Sequence, residues 1–463
     1  VSTAQAPTAH DPAGVLRAPL PDDAHEALHA VRERTRTLVA DLTRAQLETQ
    51  IDALLSPLVW DLAHIAAYED LWLVHRHGER PLLHPELAAM YDAFETPRAV
   101  RGDLELLDVP AAWAYLDDVR ARVDEVVAER GVDPELHELV LRHELQHTET
   151  MLQAMRLGGL APWLDALPGG TGDVATGTAA DPTGVRPAGG ARALGDVRPA
   201  GDIRAVPAAD GAPRPADEVA ARAVARARRP PLIDVPVPDG RVTLGAAAEG
   251  FAYDNERPRH QRPLAPFRIA RRPVTVETWR AFAADGGYAD RALWSDAGWA
   301  WRAGGAGTDV RDSTGGGGYA GPPPGARGED EVACHLSYFE AEAIAAWCGL
   351  RLPTEAEWEH ARASGLLHDA GRVWEWTASP FQGYPGFVPH PYPEYSAVFF
   401  GDAYRVLRGG SFASHPRVAT ASFRNWDLPE RHQIFSGVRL AADAPDHQPD
   451  AAASRRPTAG GRA

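Results

Sequence analysis

Between about residues 166 and 230 the sequence collapses to Gly, Ala, Pro, Asp and Arg, as in PGGTGDVATGTAADPTGVRPAGG. Such a stretch cannot bury enough apolar surface to offset its chain entropy, so it reads as a flexible linker. It cuts a chain of 463 residues into two parts of unlike texture, and two domains follow. Residues 443–463 (DAPDHQPDAAASRRPTAGGRA) read as a disordered tail on the same grounds.

Residues 20–165 carry helical periodicity and helix end signals. One segment runs from Asp22 to about Leu42. A second opens at Ser56-Pro57 and stops near Gly78. A third opens at Pro110 and stops at Gly131. A fourth opens at Asp133-Pro134 and stops at Gly158-Gly159. Four such helices with no strand signal between them imply a four-helix bundle. The connection of roughly 30 residues between the second and third is longer than a bundle loop needs, which marks it as a place for function.

Residues 231–442 hold short strand-like runs, many glycines and most of the 13 tryptophans. Two helices stand out there, over Tyr338–Trp347 and from Thr354, whose capping box with Glu357 precedes Trp358. The expected class is therefore multidomain: an α bundle followed by a loop-rich α+β domain.

Composition excludes several function classes. A net charge of -17 leaves little for phosphate binding, and the group Arg222, Arg226, Arg228 and Arg229 falls inside the linker as a solvated cluster. No apolar run reaches the ~20 residues of a membrane span. The first residues lack a basic start followed by an apolar stretch, and only two cysteines, Cys334 and Cys348, are present. A reducing, cytoplasmic setting is the expectation.

The fourth helix carries the chemistry. Its apolar stripe is Leu136, Val140, Met151 and Ala154, and His143 and His147 continue it, so both imidazoles point into the bundle. Their i, i+4 spacing lets them converge on one ion. The second helix offers His64, in Trp60-Asp61-Leu62-Ala63-His64. Glu149 is the expected acceptor that orients a ligand histidine. A chain with 18 histidines will contain such a pair by chance, but a pair on an apolar stripe needs a partner for each buried ring. His143-Glu144-Leu145-Gln146-His147 also matches the H-E-x-x-H signature of zinc proteases. The extended form fails at Thr150 and Gln153, and the chain reaches the linker before a downstream glutamate ligand can follow. Three neutral histidines leave open positions for substrate and oxygen on iron, or for water on zinc, and spacing does not choose.

WDLAH (60–64), HELQHTE (143–149), FAYDNERPRH (251–260), RLPTEAEWE (351–359), VWEWTAS (373–379), RVLRGGSF (405–412), SFRNWD (422–427) and IFSGVRLA (434–441) together resemble the ergothioneine-biosynthetic sulfoxide synthases. The resemblance covers 20–165 and 231–442. It implies a DinB-like four-helix bundle fused to a domain like the formylglycine-generating enzymes, a C-type-lectin-like fold. It implies an oxygenase that uses Fe(2+) and O2 to join a thiol, γ-glutamylcysteine, to the imidazole carbon of hercynine and to oxidise the sulfur to a sulfoxide.

By the same resemblance, His64, His143 and His147 hold the iron, and Gln146, Tyr395, Asn425 and Trp426 line the hercynine pocket. Arg98 and Arg101, in the long bundle connection, clamp the carboxylates of the thiol substrate. Asp427 pairs with its ammonium and Arg431 supports that site. The catalytic tyrosine is Tyr392, with Tyr384 as the fallback. Three departures from the family pattern stand out: a longer linker, an abbreviated stretch before Val373, and no late cysteine pair of the formylglycine-generating kind. The last excludes sulfatase activation. The expected partners are the two small molecules, with no nucleic acid, no membrane and a monomeric chain. The rivals are a DinB-like zinc hydrolase or thiol transferase, and a lectin-like binding module.

Overall fold

The computed structural model describes residues 11–164, 230–303 and 331–445; the expected linker, but for Pro230, and all but the first three residues of the expected tail lie outside them. Helices α1 (Pro12–Arg17), α2 (Ala24–Val39), α3 (Arg44–Glu48), α4 (Leu58–Glu69), α5 (Val109–Arg130) and α6 (Pro134–Leu157) build the first domain. Most begin at a side-chain cap, within a residue or two of the starts expected for the long helices. Asp23 caps α2, Asp108 caps α5 with Pro110 in its first turn, and Asp133 caps α6. Gly131, at φ 79°, ends α5 in a conformation that suits glycine.

Two details depart from expectation. Pro57 itself takes the cap position of α4, no side chain caps that helix, and Ser56 instead accepts a hydrogen bond from Arg101 at 2.7 Å. The short helices α1 and α3, of six and five residues, were not foreseen, because neither is long enough to show a period.

α2 packs on α6, and α4 packs on α5 and α6. At the centre, each long helix gives one charge. Arg32 of α2 reaches Glu144 of α6 (3.0 Å) and Glu69 of α4 (2.7 Å), while Arg120 of α5 reaches Glu69 at 2.6 Å. Glu69 and Glu144 are fully buried. This settles the H-E-x-x-H resemblance: Glu144 points away from the histidines, into an ion cluster, because adjacent residues on a helix lie about 100° apart. Beyond Glu69 the helix widens into a π-helical stretch, Asp70–His77.

The second domain is α+β. Strands β1 (Leu232–Val235), β4 (Phe267–Ala270) and β9 (Ala441–Asp443) form one antiparallel sheet, and β2 (Arg241–Leu244) pairs with β3 (His260–Pro263). A four-stranded sheet runs β7-β6-β5-β8, from β5 (Trp374–Phe381), β6 (Gly401–Arg408), β7 (Asn425–Asp427) and β8 (Ser436–Val438). Because Asp443 ends β9 and binds Arg351 at 2.7 Å, the ordered domain extends past 442. Helices Tyr338–Trp347 and Glu355–Ala363 match expectation, and Val276–Ala284 and Asp296–Trp301 add to them.

Three buried ion pairs pin this loop-rich domain: Arg408 to Glu359 (2.6 Å), Arg424 to Glu355 (2.8 Å) and Arg439 to Glu375 (2.7 Å). All three arginines are wholly inaccessible, so losing either partner strands a buried charge at about 3–5 kcal/mol. One buried apolar core runs through both domains, and a second lies beneath β1, β2 and β4 around Trp358.

Candidate metal centre

α4 presents His64, and α6 presents His143 and His147 one turn apart. One nitrogen from each ring lies within 4.8 Å of the others. His64 Nδ1 donates to the Tyr91 carbonyl at 2.6 Å, and His147 Nδ1 donates to Asp61 Oδ1 at 2.8 Å. Those bonds fix both tautomers and leave each Nε2 with its lone pair facing inward. His143 Nε2 lies 3.1 Å from His64 Nε2, while His143 Nδ1 is buried without a partner. Either tautomer of His143 leaves a buried ring nitrogen unsatisfied beside the convergent nitrogens of His64 and His147, so the donor set fits a metal ion.

The electrostatics agree. Burial, and after it the proximity of His147, holds both His64 and His143 well below the ordinary histidine range. They are neutral at physiological pH, the state in which imidazole ligates. Flat aromatic contacts hold the rings: Trp60 stacks on His64 at 4.7 Å, and Tyr68 on His143 at 3.7 Å.

The long bundle connection does take part. Tyr91 fixes it by accepting from the Leu107 N–H at 2.8 Å, and so presents its carbonyl to His64. Arg98 and Arg101 share a 3₁₀ helix, Arg98–Asp103. Arg98 is exposed at the mouth of a cleft of about 700 Å³. Arg101 lines the same cleft, but its guanidinium lies 3.3 Å over the Trp60 ring and donates to Thr96 O (2.9 Å) and Ser56 Oγ (2.7 Å). A carboxylate clamp was expected of Arg101; most of its donors are already committed to the chain itself.

That cleft brings together His147, Gln146, Tyr395, Asn425, Trp426, Asp427 and Arg431 from the two domains. Asn425, Trp426 and Asp427 are the edge strand β7, half-buried and held in register on β6. Trp426 stacks on Phe381 at 4.2 Å and meets the edge of Tyr395 at 5.9 Å. Arg431 Nε lies 3.5 Å from Asp427 Oδ2. A second cavity of about 650 Å³, with Ala67, Leu71, Trp72 and Ala88 among its walls, is lined by all three histidines and shares His147 and Tyr395 with the first. Tyr392 lies in this second cavity, with its hydroxyl 3.0 Å from that of Tyr68. Tyr384 lines neither cavity; it is packed between His260 and Arg424.

Glu149 corrects the earlier reading. It accepts from Trp374 Nε1 (2.7 Å), Ser411 Oγ (2.6 Å) and Ser414 Oγ (2.5 Å), and so pins α6 to the second domain instead of orienting a histidine. Two residues beyond His147 on a helix is about 200° around, which faces it elsewhere. The acceptor that sequence reasoning missed is Asp61, one turn before His64 within WDLAH. Tyr68, one turn after it, was also missed.

A sequence model of the DinB superfamily matches residues 27–151, and one of the sulfatase-modifying factor enzyme 1-like domain matches 220–370 and 362–444. The hercynine oxygenase of Mycobacterium tuberculosis is 38% identical over 478 residues, covering 90% of this chain and 98% of that protein. The chain belongs to the hercynine oxygenase family. The hercynine oxygenase of Mycolicibacterium thermoresistibile is 37% identical over 92% of this chain and 96% of its own length. Ergothioneine biosynthesis protein 1 of Neurospora crassa is 40% identical over a segment of 77 residues, 16% of this chain and 9% of that protein. In this family member the DinB-like bundle supplies the histidines and the sulfatase-modifying-factor-like domain supplies the facing wall. Among the described residues no helix is long and apolar enough to cross a membrane.

Proposed function

We propose that the chain couples γ-glutamylcysteine to hercynine with dioxygen, forming γ-glutamyl-hercynylcysteine sulfoxide and water, a step of ergothioneine biosynthesis. Atoms and electrons balance without a reductant. The C–H and S–H hydrogens leave as water; C–S bond formation and sulfoxidation each remove two electrons, and one dioxygen accepts all four. The observation that carries the reading is the three-histidine set at the junction of the interdomain cleft and the second cavity. Iron(II) held by His64, His143 and His147 would supply the chemistry toward dioxygen.

The chain's own residues bind and orient. Gln146, Tyr395, Asn425 and Trp426 form the hercynine pocket, where aromatic faces suit a quaternary ammonium that cannot donate hydrogen bonds. Arg98 and Arg431 take the carboxylates of the thiol substrate, with Arg101 contributing what its remaining donors allow, and Asp427 takes its ammonium. Burial pushes the Tyr392 phenol up from its ordinary value, so it keeps its proton at neutral pH and serves as the proton donor. Both domains of one chain complete the cleft, so the unit proposed is a monomer, acting in the cytoplasm where its two unbridged cysteines stay reduced.

The test is an anaerobic mixture of iron-loaded protein, hercynine and γ-glutamylcysteine, then exposed to oxygen. The coupled sulfoxide should appear by mass spectrometry with one oxygen consumed per product. No coupled product with either γ-glutamylcysteine or cysteine, or turnover that persists with zinc and without oxygen, would overturn the proposal.

A further inference from the structure

We propose that Tyr68 is the positioning residue for Tyr392, the two phenols forming a pair that aims the Tyr392 proton at the histidine cluster. The inference rests on the reading of Tyr392 as proton donor. Tyr68 stands one helical turn past His64 on α4, and its ring lies flat on His143, 3.7 Å away and 9° from parallel. It is therefore fixed to the ligand helices. Tyr392 belongs to the other domain and to irregular chain, where it caps a single 3₁₀ turn, Pro393–Tyr395. Its backbone alone does little to hold its hydroxyl in place.

Besides the edge contact with Tyr395 three residues on, two contacts from the first domain hold it. Trp72, in the π-helical stretch, packs against the Tyr392 ring at 4.8 Å. The Tyr68 hydroxyl lies 3.0 Å from the Tyr392 hydroxyl. A pair of hydroxyls shares one proton between its oxygens and keeps one free. If Tyr392 gave its proton to Tyr68, the free proton would be that of Tyr68, and Tyr392 would have none to donate into the site. If Tyr68 donates to the Tyr392 oxygen, the Tyr392 proton is free to point into the cavity that both tyrosines share with His64, His143 and His147. The stacked ring of Tyr68 sets where that oxygen sits. Tyr68 thus acts through Tyr392, and it also makes the proton's position depend on how the two domains dock.

Tyr68→Phe keeps the stacked ring and removes the hydroxyl. The kcat for coupling should fall about ten- to a hundredfold, as expected for misplacing a reacting group by about 1 Å. The KM of each substrate and the iron affinity should not change, and more thiol should be oxidised without coupling. The Tyr68→Phe/Tyr392→Phe double variant should be no slower than Tyr392→Phe alone. In metal-free protein labelled with 3-fluorotyrosine, the 19F resonance that disappears in Tyr392→Phe should shift in Tyr68→Phe. Unchanged kcat and product ratio in Tyr68→Phe, with Tyr392→Phe impaired, would overturn the positioning role alone. An unimpaired Tyr392→Phe would instead overturn the reading beneath it. A Tyr68→Phe defect larger than that of Tyr392→Phe would make Tyr68 the donor and overturn the proposal as stated.

Discussion

Replacing Asp61 should loosen the metal without touching a ligand. Asp61 is 1% exposed, and its Oδ1 accepts from His147 Nδ1 at 2.8 Å. A hydrogen bond to a charged acceptor contributes about 1.5–3 kcal/mol. Removing the partner that orients a ligand histidine commonly lowers metal affinity about 10–100-fold, or roughly 1.4–2.8 kcal/mol. The two estimates coincide. Asp61→Asn can still present an amide oxygen to His147 and should fall near the tenfold end. Asp61→Ala leaves the Nδ1 proton with no acceptor and frees the ring to turn, so it should approach a hundredfold. The assay is anaerobic competition for Fe(II) against a chelator of known affinity, with thermal unfolding to confirm that each variant is folded. His143→Ala, which removes a ligand outright, sets the scale. Wild-type affinity in Asp61→Ala, beside a clear loss in His143→Ala, would refute the claim that Asp61 orients His147.

Other outcomes follow from the same geometry. Tyr392→Phe should leave iron and substrate affinity intact while slowing coupling and diverting thiol toward simple oxidation, read as the product ratio by mass spectrometry. Arg98→Ala should raise the KM for γ-glutamylcysteine at least about tenfold, on the scale of one charge-assisted hydrogen bond, with the hercynine KM unchanged. Arg101→Ala should instead lower the unfolding midpoint, because Arg101 braces Trp60, Thr96 and Ser56; the opposite pattern for the pair would refute this division. Burial alone would raise the Glu69 carboxyl, yet Arg120 and Arg32 hold it far below the ordinary carboxylate range. Its stabilising contribution is therefore fully present above the unfolded value near 4.5 and lost progressively as pH falls from there toward the folded value of about 2. Urea midpoints should drop with acidification there, and Glu69→Gln should flatten that slope at the expense of stability; an unchanged slope would count against the cluster.

What the sequence disclosed and what it hid divide along physical lines. Caps and stops are local, so Pro110, Asp133 and Gly131 mark their helix ends to within a residue. The inward direction of His143 and His147 follows from periodicity alone. Partners distant in the chain are not local. Nothing near Glu144 announces Arg32, 112 positions away, so its role in the ion cluster stayed hidden behind the protease motif. Glu149 was misread because proximity in sequence suggested proximity to a ligand, whereas the helix turns it toward Trp374. Asp61 was in plain view but reads as an ordinary first-turn acid until α6 is laid beside α4. Arg101 was assigned by resemblance, and only the folded chain shows Thr96 and Ser56 occupying its donors.

The three sealed arginine–glutamate pairs bear on how relatives of this chain should be recognised. Arg408, Arg424 and Arg439, with Glu355, Glu359 and Glu375, fall within the stretches RVLRGGSF, SFRNWD, IFSGVRLA, RLPTEAEWE and VWEWTAS by which the domain is most easily found. Yet none of these six lines the cleft or the second cavity. A protein could keep every one of them and perform unrelated chemistry, or none. The short edge strand Asn425–Asp427 is the informative part, because it borders the cleft and hangs on the frame without being needed to close it. Substitutions there can change what is bound while leaving the frame intact, so a homologue's reaction is better judged from that strand and the three histidines than from its overall similarity.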